Sequence, residues 1–235
     1  MGKSRSWLLR WTWRAVTIFF ALLALYQVWL FAHICWWVKF NPSSSAFMDT
    51  RLELMQNKNP DATLQHQWVP YSRISDNLKR ALVAAEDANF VDHEGFDWEG
   101  IQKAYEMNLR KGKIVAGGST ISQQLAKNLF LSTRRTPWRK LEEAAITLML
   151  ESVMDKQRIF EIYLNVIEWG NGVFGAEAAA RHYYQTSAAQ LTAEQAARLA
   201  AMVPNPRYYD RHREARGLQL KTAIILERMN DAEIP

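Results

Sequence analysis

Gly117-Gly118-Ser119-Thr120-Ile121-Ser122-Gln123-Gln124-Leu125-Ala126-Lys127-Asn128 reads as a helix opening directly out of a glycine pair. Ile121, Leu125 and Leu129 recur every four residues and mark an inward face, while Gln123, Gln124, Lys127 and Asn128 form a polar stripe on another. A solvated stripe is usually built from Glu and Lys. Amides with a single cation suit sugar hydroxyls and a phosphate instead. Ser119 and Thr120, entering the helix behind glycines, leave backbone N–H groups and the positive end of the helix dipole turned outward, a natural anion site.

Upstream, Leu78, Ala81, Leu82 and Ala85 follow i, i+3, i+4, i+7 behind Ser75 and Asp76 as cap candidates. That helix closes on Glu86-Asp87, and the chain leaves through a polar stretch containing His93 and Gly95. A carboxylate at an apolar edge has its ionised form disfavoured, which suits Glu86 to general-base work; the plainer reading is two acids facing water. Downstream, Arg139-Lys140-x-x-Glu143 leads into the apolar run Ala144 to Leu150. Arg139 and Glu143 are spaced as an ordinary i, i+4 ion pair, yet at the mouth of a cleft Arg139 and Lys140 would clamp a pyrophosphate, with Glu143 orienting them or a divalent ion. Lys156 to Asn165 is a fourth helix with polar ends.

Helices are expected at about 98–110, 119–131, 138–154, 156–168, 176–184, 192–202 and 216–229, with Thr192-x-x-Gln195 as a capping box and Pro204-Asn205-Pro206 as a stop. Residues 46–70 show no clear period, and no alternating strand pattern of comparable strength appears. The fold class is mostly α. Gly170-Asn171-Gly172-Val173-Phe174-Gly175 matches the dinucleotide fingerprint, but helical spacing precedes it where a strand is required, so the glycines read as a helix-to-helix turn.

From Ala15 to Val38 there is no charged residue, a run long enough to span a bilayer, and Trp7, Trp11, Trp13, Trp36 and Trp37 fall at its two ends. A signal peptide has a shorter apolar core, and Ala32-His33-Ile34 before Cys35 lacks the pattern of a lipid-modified Cys, so a retained anchor is expected. Lys3, Arg5, Arg10 and Arg14 precede the span and only Lys39 closely follows it, which places the N-terminus inside. The division is then a basic cytoplasmic tail 1–14, an anchor 15–38, a juxtamembrane linker or membrane-proximal lobe 39–67, and a catalytic domain 68–235 outside. Of 29 basic residues those five precede the first acid, Asp49, leaving 24 bases against 24 acids, a balance without the basic face that nucleic acid needs. With 49% hydrophobic residues the chain has material for a core, and the lone Cys35 excludes an internal disulfide and a multi-Cys zinc site.

Taken in order, Glu86-Asp-x-x-Phe-x-x-His-x-Gly95, Gly117-x-Ser-Thr-Ile-Ser-Gln-Gln-x-x-Lys-Asn128, Arg139-Lys-x-x-Glu143 and Lys156-x-Arg-Ile-x-Glu-x-Tyr-Leu-Asn165 resemble the blocks of glycosyltransferase family 51, the peptidoglycan glycosyltransferases, over about residues 68–210. The similarity is to the monofunctional, membrane-anchored type, since no Ser-x-x-Lys transpeptidase motif is present. Ser122 and Phe160 stand where Thr and Leu are common, and acids flank His93; none of these removes a proposed catalytic group.

The resemblance implies a lysozyme-like α domain polymerising lipid II into β-1,4 glycan with inversion and release of undecaprenyl pyrophosphate. Glu86 maps onto the general base and Glu143 onto a second catalytic residue, which supports the diphosphate site. Lys127, Arg139 and Lys140 map onto the leaving diphosphate, and Asp87, Phe90, His93, Ser119, Thr120, Gln123, Gln124, Asn128 and Asn165 onto the substrate-binding set. No cofactor is required by the sequence; a divalent cation, Mg or Mn, has one place, at Glu143 with the pyrophosphate. The implied partners are lipid II, the growing strand, the membrane and proteins of cell-wall synthesis or division. A glycan-cleaving enzyme of similar fold and an idle scaffold are the competing expectations.

Overall fold

The computed structural model describes residues 2–113, 117–131 and 137–235, apart from the side chains of residues 2–6, 8, 9 and 137. It falls into two compact units, one ending at Phe40 and one spanning Asn41–Pro235. The first is a single helix, α1 (Gly2–Trp37), uninterrupted because neither Pro nor Gly occurs between Lys3 and Asn41. Its stretch Arg10–Trp37 contains an 18-residue window of mean hydropathy 2.1 and is long and apolar enough to cross a membrane. The helix runs well before the expected anchor start at Ala15, carrying the basic tail on its first turns.

The second unit begins with α2 (Ala46–Gln56), whose cap Ser45 accepts from the Met48 N–H, and continues through a two-residue strand β1 (Gln65–His66) to α3 (Asp76–Glu86), capped by Ser75. Next come α4 (Trp98–Lys111), held between Asp97 at its start and a left-handed Gly112 at its end, and α5 (Ile121–Phe130). Thr120 and Gln123 form a full capping box on α5. α6 (Pro137–Val153) and α7 (Lys156–Val166) follow, then β2 (Glu168–Gly170), β3 (Val173–Phe174), α8 (Ala176–Tyr184), α9 (Ala193–Met202), α10 (Pro206–Arg211) and α11 (Arg216–Arg228).

The mostly α expectation is met, with end shifts of a residue or two. Three segments differ, one of them α10, which forms just past Pro204-Asn205, where only a stop was expected. Residues 46–66, left without structure in the sequence reading, supply α2, which packs against α5, and β1, which pairs in parallel with β3. The glycine-rich segment 170–175 is a β-hairpin turn rather than a helix-to-helix turn. β2 and β3 pair antiparallel across it, and Gly172 adopts φ +78°. Such short strands carry no readable period. The hairpin is also no nucleotide fold, because the strand after its first glycine runs antiparallel to the one before.

Helices gather in two groups. α5 packs on α6 and α7 through Ile121, Leu125, Ile146, Leu150, Ile159 and Ile162, all fully buried. α9 packs on α3 and α11, and its buried Ala196, Ala197, Ala200 and Ala201 let the backbones approach closely. The last turn of α3 and the polar stripe of α5 meet between these groups.

Candidate active site

Glu86 ends α3, whose Ala81, Leu82 and Val83 are buried, so its side chain leaves the helix at the rim of the core. One carboxylate oxygen accepts a 2.7 Å hydrogen bond from Gln124 Nε2. Gln124 Oε1 in turn accepts from the Tyr163 hydroxyl at 3.1 Å. Tyr163 is fully buried on α7, and burial together with the nearby negative Glu86 and Asp87 holds its hydroxyl far above the usual pKa, a permanent donor. The tyrosine thereby fixes the amide so that its NH₂ points at Glu86. Burial pushes the Glu86 carboxyl up; the Gln124 hydrogen bond and the Lys127 and Lys221 ammoniums oppose this, and Asp87 adds to it. A carboxyl raised toward working pH yet still held ionisable fits a general base.

Asp87, the C-cap of α3, does different work. Its carboxylate accepts from the Ile121 N–H at 2.9 Å, an anion on the first turn of α5, and from His93 Nε2 at 3.0 Å. The Gly95 N–H donates to His93 Nδ1 at 3.1 Å, which puts the ring proton on Nε2, where it is donated to Asp87. Thr120 Oγ1 donates to the Gly95 carbonyl at 2.7 Å. Gly95 sits at φ +88°, and a Cβ there would meet Thr147 Cγ2 at 2.8 Å. Ser122 and Lys156 both bond Glu151, and the Lys156 ammonium lies 4.8 Å from the Phe90 ring centre. The loop after Glu86 is thus bolted to the start of α5 and to α6.

Several members of the expected substrate-contact set are engaged within the protein. Phe90 is wholly enclosed. Asn165 is too, its amide spent on the Val69 N–H and on the Val69 and Glu161 carbonyls. Asp87, His93, Thr120 and Gln123 have their polar atoms committed to the brace and the capping box. These bonds hold the loop and the start of α5, while Asp87 and Thr120 also border the cavity beside Glu86 and Gln123 borders a neighbouring one. Ser119 remains exposed, and Gln124, Lys127 and Asn128 border open space as expected.

The cations lie one turn further along α5 and at the start of α6. Lys127 lines a groove of about 320 Å³ with Gln124, Asn128, Arg139, Phe47 and Arg207. Burial lowers the Lys127 pKa; the Glu143 and Glu86 carboxylates raise it, and Arg139 and Lys140 lower it further, so all five charges act on one another. Glu143 is buried and pairs with Lys140, at i, i−3, rather than with the Arg139 expected from spacing alone. On the other side of Glu86 a cavity of about 210 Å³ is bordered by Asp87, Asp97, Gly117, Gly118 and Ser119. Gln124 therefore joins the acid to the cationic groove.

Several participants escaped the sequence reading. Tyr163 read as core, which it also is. Phe47, whose ring centre lies 5.9 Å from the Lys127 ammonium, sits in the stretch without a period. Glu168 lies between Arg51 at 3.0 Å and Arg207 at 3.7 Å at the groove's edge, a charge cluster assembled from three elements. Among the described residues no three His, Cys, Asp or Glu gather as a metal-ligand group.

The sequence profile of the family described as Transglycosylase matches residues 53–230. A protein named "Biosynthetic peptidoglycan transglycosylase" from Methylobacillus flagellatus is 72% identical over 223 residues, 95% of this chain and 97% of its own. Proteins of the same name from Laribacter hongkongensis and Nitrosospira multiformis are 66% and 64% identical, covering 97% and 96% of this chain and 100% and 98% of theirs.

Proposed function

This chain belongs to the transglycosylase family, and from that premise we propose that it polymerises lipid II into β-1,4-linked glycan, with Glu86 as general base. It is an enzyme of lysozyme-like fold, a peptidoglycan transglycosylase. The Glu86 carboxylate takes the proton of the acceptor sugar's 4-hydroxyl, and that oxygen forms the new bond to C1 of the donor muramyl residue. The bond from C1 to the diphosphate oxygen breaks with its electron pair, so undecaprenyl pyrophosphate leaves and the anomeric centre inverts. Lys127, Arg139 and Lys140 neutralise the departing charge, and Glu143 holds Lys140 in place. Gln124, Asn128 and Ser119 position sugar and phosphate oxygens.

The observation that carries this reading is the bridge through Gln124, which bonds the Glu86 carboxylate and lines the Lys127–Arg139 groove. Displacement at an anomeric carbon needs a base on one face and charge neutralisation on the other, and α5 supplies the link between them. The cations favour synthesis over glycan cleavage, whose leaving group is an alcohol rather than a diphosphate. Any divalent cation would be held by Glu143 and would need oxygens of the substrate diphosphate to complete its ligand set. α1 serves as a single-pass anchor with the catalytic unit outside the cytoplasmic membrane, which keeps enzyme and lipid-linked substrate in one plane.

Incubating the purified full-length chain with lipid II in detergent and resolving products on a gel tests the proposal. Wild type forms a ladder of strands, and Glu86→Gln folds but forms none. Full polymerisation by Glu86→Gln removes the base assignment, and fragmentation of preformed strands by wild type would support the lytic reading.

A further inference from the structure

A third cavity, of about 460 Å³, reaches Glu86 from the side of α9 and α11. Its floor is small and apolar, made of Ala84, Ala85, Ala200, Ala201 and Pro204, so little side chain fills it. Its remaining wall is one face of α11: Lys221, Ile224 and Ile225, and Arg228 follow i, i+3/i+4, i+7. Lys221 and Arg228 are exposed, and neither has an ion pair or side-chain hydrogen bond among the described residues. Nearby cations are engaged: Lys79 with Asp76, Arg80 with the carbonyls of Asn230 and Ala232, Arg198 with Glu214. Two unpaired cations flanking an exposed isoleucine, Ile224, beside a catalytic carboxylate make poor packing but a good anion receptor.

We propose that Lys221 and Arg228 form a second anion-binding subsite, separate from the Lys127–Arg139 groove, which takes an anionic group of the second substrate molecule brought to Glu86. The inference rests on the proposed function. Two lipid-linked molecules meet in each transfer, and each carries a diphosphate and, on its peptide, carboxylates. One cationic groove cannot neutralise both without crowding like charges together. The α11 wall supplies the missing counter-charge on the side from which Glu86 is also reached. The apolar floor accommodates the carbon skeleton beside the anion.

The test measures binding and turnover on the full-length protein. Affinity for fluorescently labelled lipid II is read by anisotropy in detergent, independently of turnover, and polymer formation is followed alongside. Lys221→Ala and Arg228→Ala each weaken binding about fivefold, the upper range for an exposed charged contact, and the double variant about twentyfold. Lys221→Arg keeps near wild-type affinity. In rate measurements made at alkaline pH, where Glu86 is ionised with or without the Lys221 ammonium, KM rises correspondingly and kcat stays within about twofold. A substrate with amidated peptide carboxylates separates the two anion sources. If it abolishes the difference between wild type and double variant, the group is a carboxylate; if the difference persists, it is the diphosphate. Wild-type affinity in the double variant on both substrates overturns the subsite, as does a loss of kcat with unchanged binding. Failure of wild type to make polymer while the binding difference persists would strike the proposed function and leave the anion receptor standing.

Discussion

Glu86, Gln124 and Tyr163 form a chain in which each residue fixes the next, so their substitutions have graded effects. Gln124→Leu removes the hydrogen bond that the Glu86 carboxylate accepts from Gln124 and leaves only the Lys127 and Lys221 ammoniums to oppose burial there. The carboxyl pKa then rises further, and because a base must be deprotonated, the acidic limb of the pH–rate profile moves to higher pH. Activity near neutrality falls roughly tenfold, the value of a charge-assisted hydrogen bond, and is partly recovered in more alkaline buffer. Tyr163→Phe, which loses only the amide's orientation, shifts the limb the same way by less. A profile displaced toward acid, or unmoved, would contradict the bridge. The same carboxyl makes a stability prediction of opposite benefit. Its folded pKa lies above its unfolded value, so the stability it contributes is present below the unfolded pKa and is lost as pH rises through the folded one. Glu86→Gln removes that loss. Thermal unfolding should show the inactive variant melting higher than wild type at pH 8, by roughly 2–4 °C for each kcal/mol relieved, and no higher at pH 4.

At the scale of elements, the loop from Asp87 to Gly95 and the start of α5 behave as one joint. Asp87→Ala strands the buried Ile121 N–H and the half-buried His93 ring, and should cost about 1–3 kcal/mol in denaturant unfolding. Because Asp87 braces the loop and its charge also raises the Glu86 pKa, the residual activity should show an acidic limb moved slightly to lower pH, opposite to Gln124→Leu. Gly95→Ala combines a positive φ with a Cβ 2.8 Å from Thr147 on α6, and should destabilise by about 1–3 kcal/mol. This joint marks what was legible in the sequence. Glu86 and the Lys127, Arg139 and Lys140 set could be picked out because acids and cations next to apolar helix faces are chemically conspicuous. Whether Asp87, His93, Thr120 or Asn165 meets substrate or holds the backbone depends on tertiary partners tens of residues away, such as the Ile121 N–H for Asp87 and Val69 for Asn165. The helices α3 to α9 and α11 were visible through 3.6-residue spacing. α2 was not, since Met48 is its single buried residue, and strands of two or three residues leave no alternation to read.

At the scale of the whole chain, the charge distribution and the surface both turn toward lipid. The catalytic unit balances its charges, while the positive excess sits on α1 and on Lys39 just after it. That unit also exposes Trp98, Tyr105 and Leu109 on α4 and Trp138 and Leu141 on α6, large apolar side chains that cost free energy in water and little at a bilayer interface. The proposed orientation rests on the basic residues before the span: with four positive charges held on the cytoplasmic side, the chain after Phe40 would emerge on the other. Cys35 is the sole thiol, so a Cys35→Ser background gives a clean reporter. Ser43→Cys in that background places a thiol at an exposed position past the end of α1, and Ser4→Cys places one near the start of α1, ahead of the apolar span. A membrane-impermeant maleimide added to intact spheroplasts should label the first variant fully and the second only after permeabilisation. Because both thiols belong to one chain type expressed alike, the reversed pattern would place the catalytic unit inside, where strand synthesis on the outer face could not occur.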